Sequence, residues 1–226
     1  MRINEIFYSL QGEGFLAGLP SMFVRLAGCP LRCRWCDTKY AWDQAAGAHY
    51  SVAKIVQTVQ QAQSKFVVIT GGEPMTDSDL PQLVQELKAA GKHITIETAG
   101  IAFVPDMPCD LMSVSPKLSN STPADPEFAA VHEDSRLDIA VLRMLIDEYS
   151  YQLKFVVDCE DDLTEIDQTL KEIGNADSEK VMLMPQAATR DELLTKSPMV
   201  AELCKRTGFA FSPRLQVLFW DNKKGT

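Results

Sequence analysis

Short runs of apolar residues alternate along this chain with segments in which apolar residues recur every three or four positions. The short runs are typical of buried strands, and the wider spacing is typical of amphipathic helices. The predicted strands cover residues 22–26, 66–70, 93–98, 111–115, 153–158 and 181–184. One predicted helix begins after Ser51, and the others cover residues 79–90, 137–149, 163–173 and 191–206, with Pro198 as a candidate break. This alternation predicts an α/β fold with a mostly parallel sheet.

The number of strands indicates the architecture. Six strands with their helices suit a partial (β/α)6-type barrel, abbreviated relative to the complete eight-fold barrel, which needs about 250 residues. Residues 119–134 are rich in Ser, Pro, Ala and acids and predict a long surface loop or a short helix. Residues 209–220 predict a final extended segment. No linker divides the chain, so we expect one domain over residues 1–226.

Composition and charge narrow the class of protein. Hydrophobic residues make up 46% of the 226 residues, a balance typical of a globular domain. The formal net charge of −9 argues against a nucleic-acid-binding surface. The N-terminal segment 1–14 is charged and has no apolar run long enough for a membrane span or the core of a signal peptide. With six cysteines and no such signal, we expect a reduced, cytoplasmic protein without membrane contact.

Polar and glycine-containing motifs follow most of the predicted strands. They are the cysteine run 29–36 after the first strand, TGGEP (70–74), ETAG (97–100), SPK (115–117) and, after the sixth strand, MPQ (184–186). Because the carboxyl ends of parallel strands meet at one face, we expect these motifs to converge on a single mouth. Position at that mouth favours cofactor contact for Ser115, Lys117 and Gln186. Paired glycines directly after a strand indicate a turn or a close backbone approach.

Three cysteines, Cys29, Cys33 and Cys36, occur within eight residues of the run GCPLRCRWCDT. Three thiolates this close can bind one soft metal centre, and on a four-iron cluster they would leave one iron open to a small molecule. Zinc completed by His49 or Cys109 is an alternative, as are ordinary buried thiols. The dispersed cysteines, at positions 109, 159 and 204, read as small buried hydrophobes.

The CxxxCxxC spacing, with Trp35 before the last cysteine, resembles the cluster motif of the radical S-adenosylmethionine (SAM) superfamily. The resemblance implies a partial α/β barrel, a 4Fe-4S cluster on the three cysteines and SAM on the open iron. In that superfamily a radical derived from SAM abstracts hydrogen, so no protein side chain is expected to do so. The GGEP sequence resembles the motif that meets the amino end of SAM. The SAM-binding residues expected on these grounds are Gly72, Glu73, Ser115, Pro116, Lys117 and Gln186.

A second resemblance narrows the function. IFYSLQGEG (6–14), FVRLAGCPLRCRWCDT (23–38), TGGEP, ETAG, SPK, LKFVV (153–157) and MPQ are together similar to the 7-carboxy-7-deazaguanine synthase family, over most of the chain. The resemblance implies ring contraction of 6-carboxy-5,6,7,8-tetrahydropterin to 7-carboxy-7-deazaguanine, on the path to queuosine and other deazapurines. It also implies Mg²⁺ beside the cluster and SAM, a homodimer, and an external electron donor of the flavodoxin or ferredoxin type.

The family resemblance assigns substrate contacts to Leu10, Gln11, Gly12, Glu13, Arg25 and Thr70. Gln11 offers a donor and an acceptor to the pterin, and Glu13 can accept from ring N–H groups. Arg25 can bind a carboxylate with two nitrogens. An ordinary loop turn and an ordinary Arg25 ion pair are the alternatives. No role is assigned to Glu97 and Thr98.

The same resemblance makes Thr38 a ligand of Mg²⁺, a hard cation that usually has few protein ligands. From the sequence alone, Thr38 could simply be a helix N-cap. Asp37 is a less favoured candidate for the metal ligand. In the tail, Leu215, Val217, Phe219 and Trp220 predict an apolar strand that either closes over the pterin or forms a dimer face.

Two other functions remain open on the sequence. One is an activase of a glycyl-radical enzyme, which also uses CxxxCxxC but acts on a protein backbone and needs no pterin contacts. The other, from a different class, is a zinc-stabilised binding module. Colour and oxygen sensitivity separate an iron–sulfur protein from a zinc protein.

Overall fold

One nine-stranded sheet organises the chain in this computed structural model, which describes residues 1–221 and 223–226. The strands are β1 Arg2–Leu10, β2 Pro20–Leu26, β3 Ala48–His49, β4 Phe66–Gly71, β5 His93–Thr98, β6 Leu111–Val114, β7 Tyr151–Val157, β8 Val181–Pro185 and β9 Ala210–Phe211. Their order across the sheet is β3-β1-β2-β4-β5-β6-β7-β8-β9. From β2 to β9 every neighbouring pair is parallel, whereas β1 runs antiparallel to both β2 and β3. The prediction of six parallel strands is confirmed as β2 and β4 to β8.

The helices are α1 Val52–Gln60, α2 Leu80–Ala89, α3 Pro126–Ser135, α4 Ile139–Glu148, α5 Asp162–Ile173, α6 Arg190–Thr207 and α7 Leu215–Trp220. Helices α1 to α6 lie in the connections between successive parallel strands, and α7 follows β9. In the fully described segment 99–110, between β5 and β6, there is no helix, so this crossover is abbreviated. The architecture is therefore a shortened, partial barrel of parallel strands, as the sequence predicts. None of the described helices is both long and apolar enough to cross a membrane.

Burial explains why the apolar runs form strands. All seven residues of β7 are buried, and Phe155 in its middle is fully inaccessible. Such a run is typical of a strand covered on both faces. In α1 the buried residues are Val52, Ile55 and Val59, and the Ser51 hydroxyl accepts a hydrogen bond from Lys54 N at 3.3 Å, as an N-cap does. The core thus lies between the sheet and its helices.

The predicted extended tail is wrong. Residues 209–220 contain only the two-residue strand β9 and then helix α7. Within α7, Val217 is buried and Leu218 packs against the cluster that contains Leu193. The apolar spacing of this segment also satisfies a helix, and contact with α6 decides between the two. Helix α6 runs unbroken through Pro198, which is exposed, so water can bind the carbonyl that lacks a partner.

Strand β1 was not predicted, because its polar and apolar residues are mixed. Its pairing with β2 places Phe7 opposite Phe23, and the two rings stack at 5.0 Å. In segment 119–134, left open between a loop and a short helix, the chain forms α3. Its N-cap is Asp125, whose carboxylate accepts from Glu127 N at 3.0 Å.

Candidate active site

The motifs at the carboxyl ends of the parallel strands surround one cavity of about 240 Å³. The predicted site residues that line it are Leu10, Gln11, Gly12, Glu13, Arg25, Cys29, Cys33, Cys36, Thr38, Thr70, Gly72, Ser115, Lys117 and Gln186. Glu73 and Pro116, both in the described part of the chain, lie outside this lining. The expected convergence of the strand-end motifs on a single mouth is therefore confirmed.

The three cysteines of the run 29–36 lie on one wall of the cavity, in the loop after β2. They pack against a small apolar cluster that includes Leu31 and Ala99. Burial raises the pKa of Cys29 to about 12 and that of Cys33 to about 11, so a bound cation is needed to hold them as thiolates at neutral pH. Three thiols beside open cavity space fit a cluster that keeps one iron free of protein ligands.

A zinc site completed by His49 or Cys109 is not supported. His49 lies exposed in edge strand β3, and Cys109 packs against the main core. Neither residue lines the cavity. Throughout residues 1–221 and 223–226, no three His, Cys, Asp or Glu side chains are gathered closely enough to hold a single metal ion.

The paired glycines of TGGEP allow the loop after β4 to lie directly against the cysteine loop. Gly72 N donates to Leu26 O at 3.0 Å, and Glu73 N donates to Gly28 O at 2.9 Å. A Cβ atom on Gly72 would lie only 1.7 Å from Gly28 O, and Gly71 has a φ of 122°. The predicted close approach is confirmed, and the neighbour is the backbone at the start of the cysteine loop.

The side chain of Glu73 links TGGEP to ETAG. Its Oε1 accepts from the Thr98 hydroxyl at 2.7 Å, and its Oε2 accepts from Ala99 N at 2.7 Å. Glu73 is 2% exposed, and burial raises the pKa of its carboxyl. The Glu73 side chain therefore fixes two strand ends relative to each other. This contact also gives Thr98 a structural role.

Glu13 is the most heavily bonded acid in the cavity. Its Oε2 accepts from Lys154 Nζ, and its Oε1 accepts from Gln216 Nε2 at 2.7 Å and from Arg214 Nε at 3.1 Å. Burial alone would raise the pKa of Glu13, but the charges of Lys154 and Arg214 outweigh it and hold the pKa well below its usual range. Glu13 is consequently a carboxylate, and an acceptor only, at neutral pH.

Glu97 holds two of the predicted substrate contacts in place. Gln11 Nε2 donates to Glu97 Oε1 at 3.0 Å, and Thr70 Oγ1 donates to Glu97 Oε2 at 2.8 Å. Gln11 Oε1 accepts from Glu13 N at 3.0 Å, which fixes the orientation of the amide. Gln11 and Thr70 are thus pre-positioned by a carboxylate from the neighbouring strand β5.

Arg25 is held on one side and open on the other. Its Nε donates to Glu5 Oε1 at 2.8 Å, and the Tyr40 hydroxyl donates to the same oxygen at 2.8 Å. The guanidinium carbon lies 5.7 Å from the centroid of the Phe7 ring. The ion-pair interpretation of Arg25 is therefore confirmed, and the residue also lines the cavity.

The interpretation of Thr38 as a side-chain cap is wrong. Thr38 precedes the short 3₁₀ helix Lys39–Ala41, but its side chain makes no capping hydrogen bond. Its Oγ1 lies 3.6 Å from Cys36 Sγ, and Thr38 is one of the residues that line the cavity. The neighbouring Asp37 accepts through Oδ2 from Arg214 Nη2 at 2.5 Å.

The cavity lining also includes Ser115, Lys117 and Gln186. Lys117 Nζ donates to the carbonyl and the hydroxyl of Ser115, at 2.7 and 2.8 Å, and lies 5.7 Å from the centroid of the Trp35 ring. Gln186 Oε1 accepts from Lys196 Nζ at 2.6 Å. These groups present an ammonium, a hydroxyl and an amide near the cysteine loop.

Comparison with known proteins assigns this arrangement to a family. Residues 24–116 match the family model of the Radical SAM superfamily. The chain is 44% identical to the 7-carboxy-7-deazaguanine synthase of Halobacterium salinarum, over 99% of this chain and 92% of the relative. It is 40% identical to that of Rhodopirellula baltica, over 99% and 88%. The chain belongs to the 7-carboxy-7-deazaguanine synthase family. The crystal structure of QueE from Escherichia coli also aligns with it, with a TM-score of 0.72 and 27% identity, over 93% and 92% of the two chains.

As a member of the 7-carboxy-7-deazaguanine synthase family, the chain is a radical SAM lyase with a 4Fe-4S cluster and SAM as cofactors. Among the cavity residues of this family member, sequence reasoning missed the three whose side chains bond Glu13, namely Lys154, Arg214 and Gln216. A lysine in the apolar run LKFVV was a usable signal, because a buried lysine needs a partner. The other two were missed because the tail was predicted to be extended.

Proposed function

We propose that this chain converts 6-carboxy-5,6,7,8-tetrahydropterin to 7-carboxy-7-deazaguanine by a radical ring contraction. The observation that carries the proposal is the convergence of the QGEG loop, Arg25 and the three cysteines on one cavity. When bound, the cluster and SAM supply the radical that abstracts hydrogen. The residues of the chain bind the pterin, orient it and exclude water.

The polar groups of the cavity complement a carboxylated pterin. Arg25 uses only Nε within the described part of the chain, so both terminal nitrogens are free to pair with the substrate carboxylate. Glu13 is ionised and accepts from ring N–H groups, and Gln11 is fixed beside it. Leu10, Gly12 and Thr70 complete the proposed contacts.

We propose Thr38 as the protein ligand of Mg²⁺. Thr38 lines the cavity and its hydroxyl makes no capping bond. Among the described residues its hydroxyl contacts only Cys36 Sγ, at 3.6 Å, which leaves an oxygen lone pair for a cation. Asp37 suits the metal less well, because its Oδ2 already pairs with the Arg214 guanidinium, and the two cations would compete for the same carboxylate. A single hydroxyl ligand, with substrate and water oxygens, matches how Mg²⁺ binds in many enzymes.

Partners and compartment are also part of the proposal. Reduction of the cluster needs an external one-electron donor of the flavodoxin or ferredoxin type. Tyr8, Phe15 and Phe219 expose large apolar side chains, which supports a homodimer. All six cysteines are free thiols, which supports a reduced, cytoplasmic setting.

The test is an anaerobic assay with reconstituted iron–sulfur protein, reductant, SAM, Mg²⁺ and the carboxytetrahydropterin. We expect 7-carboxy-7-deazaguanine by mass spectrometry, and none from Cys33→Ser protein treated in the same way. SAM cleavage that proceeds equally with and without the pterin, while the pterin is recovered unchanged, would refute the proposal. That outcome would instead favour the activase of a glycyl-radical enzyme.

A further inference from the structure

The C-terminal segment is bonded directly to the QGEG loop. Leu215 N donates to Gly12 O at 3.0 Å, and Gly14 N donates to the Ser212 hydroxyl at 3.0 Å. A Cβ atom on Gly12 would lie 1.7 Å from the side-chain oxygen of Gln216 and 3.0 Å from its backbone nitrogen, so Gln216 packs directly against the Gly12 backbone. The loop that is proposed to bind the pterin therefore depends for its position on residues that follow it by about two hundred positions.

Arg214 extends this contact to the cysteine loop. Its Nε donates to Glu13 Oε1 at 3.1 Å, its Nη2 donates to Asp37 Oδ2 at 2.5 Å, and its Nη1 donates to Ala187 O. The Arg214 side chain is only 8% exposed. One planar guanidinium thus joins a carboxylate of the QGEG loop to the carboxylate next to Cys36 and fixes their separation.

We propose that Arg214 is a positioning residue that sets the distance between the bound pterin and the site where the radical is generated. This inference rests on the function proposed above. Lys154 also pairs with Glu13, so the pterin side keeps a cation when Arg214 is removed. In the described part of the chain, Asp37 pairs only with Arg214, so the link between the loops is lost. A displacement of about 1 Å between reacting groups can cost about 100-fold in rate.

Loss of Arg214 should therefore uncouple SAM cleavage from product formation, while the pterin still binds. In Arg214→Gln we expect normal iron content and a rise of less than about five-fold in the Kd for the carboxytetrahydropterin, measured by equilibrium dialysis with the cluster-loaded protein and no reductant. We expect product formation to fall by about 100-fold, with more than about ten times as much 5′-deoxyadenosine per product molecule. Arg214→Lys should likewise keep the iron content and the Kd but not recover the wild-type ratio of 5′-deoxyadenosine to product, because an ammonium cannot reproduce the planar fork.

Arg190→Gln is the matched control. Arg190 donates through Nε to Leu218 O at 2.6 Å and through Nη2 to Phe219 O at 3.0 Å. It therefore anchors helix α7, which directly follows Arg214, without bonding to Glu13 or Asp37. We expect this variant to keep the wild-type ratio of 5′-deoxyadenosine to product. Equal uncoupling in Arg190→Gln would show that attachment of the helix matters, and would overturn the proposal.

Two further outcomes would also overturn it. One is wild-type coupling in Arg214→Gln, and the other is loss of iron in that variant, which would make Arg214 a structural support of the cysteine loop. If Arg214→Gln does not fold, Asp37→Ala removes the same link from the other side and should show the same uncoupling. Wild-type protein that makes no product at all would refute the proposed function instead, so the two failures are distinguishable.

Discussion

Arg25 donates through Nε to Glu5 Oε1 over 2.8 Å, and its two terminal nitrogens have no partner among the described residues. The carboxylate of Glu5 therefore orients the guanidinium without occupying the nitrogens that would meet a ligand. Phe7, which stacks on Phe23, supports the same guanidinium from the side. An arginine fixed in this way loses little conformational entropy when it binds a carboxylate.

Arg25→Ala should weaken binding of the carboxytetrahydropterin by about 1.5–3 kcal/mol, because a charge-assisted contact is lost. SAM cleavage in the absence of substrate should stay close to wild type. Isothermal titration and a 5′-deoxyadenosine assay measure the two quantities. Arg143→Ala, on the remote helix α4, is the control and should change neither. If SAM cleavage without substrate fell as much as pterin binding in Arg25→Ala, Arg25 would have only a structural role.

Replacement of Cys33 by serine should abolish iron binding, and the same holds for the other two cysteines of CxxxCxxC. Cys109→Ser and Cys204→Ser are matched controls, because both thiols are at least partly buried in the main core and lie away from the cavity. These controls should retain wild-type iron after reconstitution. Full iron retention in Cys33→Ser would show that this loop does not hold the cluster.

Thr38→Ala should remove the Mg²⁺ dependence of turnover while the iron content and SAM binding stay unchanged. Thr38→Ser keeps the oxygen ligand and should retain much of the dependence. Turnover measured across a Mg²⁺ titration distinguishes the two variants. An alanine variant with wild-type Mg²⁺ stimulation would place the metal elsewhere, and Asp37 would then be the first residue to test.

The free energy of unfolding should depend on Glu13 in a pH-dependent way. The pKa of Glu13 is lower in the folded protein than in the unfolded chain, where it is about 4.3. Its contribution is therefore complete above that unfolded value and is lost as the pH falls toward the folded pKa. Glu13→Gln leaves Lys154 and Arg214 without their carboxylate and should cost about 3–5 kcal/mol at pH 7.

Urea unfolding of wild-type and Glu13→Gln protein at pH 7 and pH 3.5 measures this difference. The gap between the two proteins should narrow at the lower pH. Glu202→Gln, at an exposed position, is the control and should show little difference at either pH. A gap that widens toward pH 3.5 would contradict the lowered pKa.

Sequence patterns predict the strands and strand-end motifs of this protein well, but they do not predict the ion pairs between distant segments. The six parallel strands follow from apolar runs because burial on both faces requires them. Strand β1 was missed because its polar and apolar residues are mixed and form no continuous apolar run. The cysteines and strand-end motifs were found because the chemistry requires particular residue types at short spacing. The pairing of Arg214 with Asp37 joins residues that are 177 positions apart, and no local pattern indicates it.

The central claim is that the radical generated at the cysteine loop abstracts hydrogen from a pterin held by the QGEG loop and Arg25. The most direct test supplies the carboxytetrahydropterin with deuterium at its non-exchangeable ring carbons. We predict deuterium at the 5′ carbon of the recovered SAM and 5′-deoxyadenosine, together with 7-carboxy-7-deazaguanine. Product formed with no deuterium in either nucleoside would contradict the account, because hydrogen would then have left the pterin by another route.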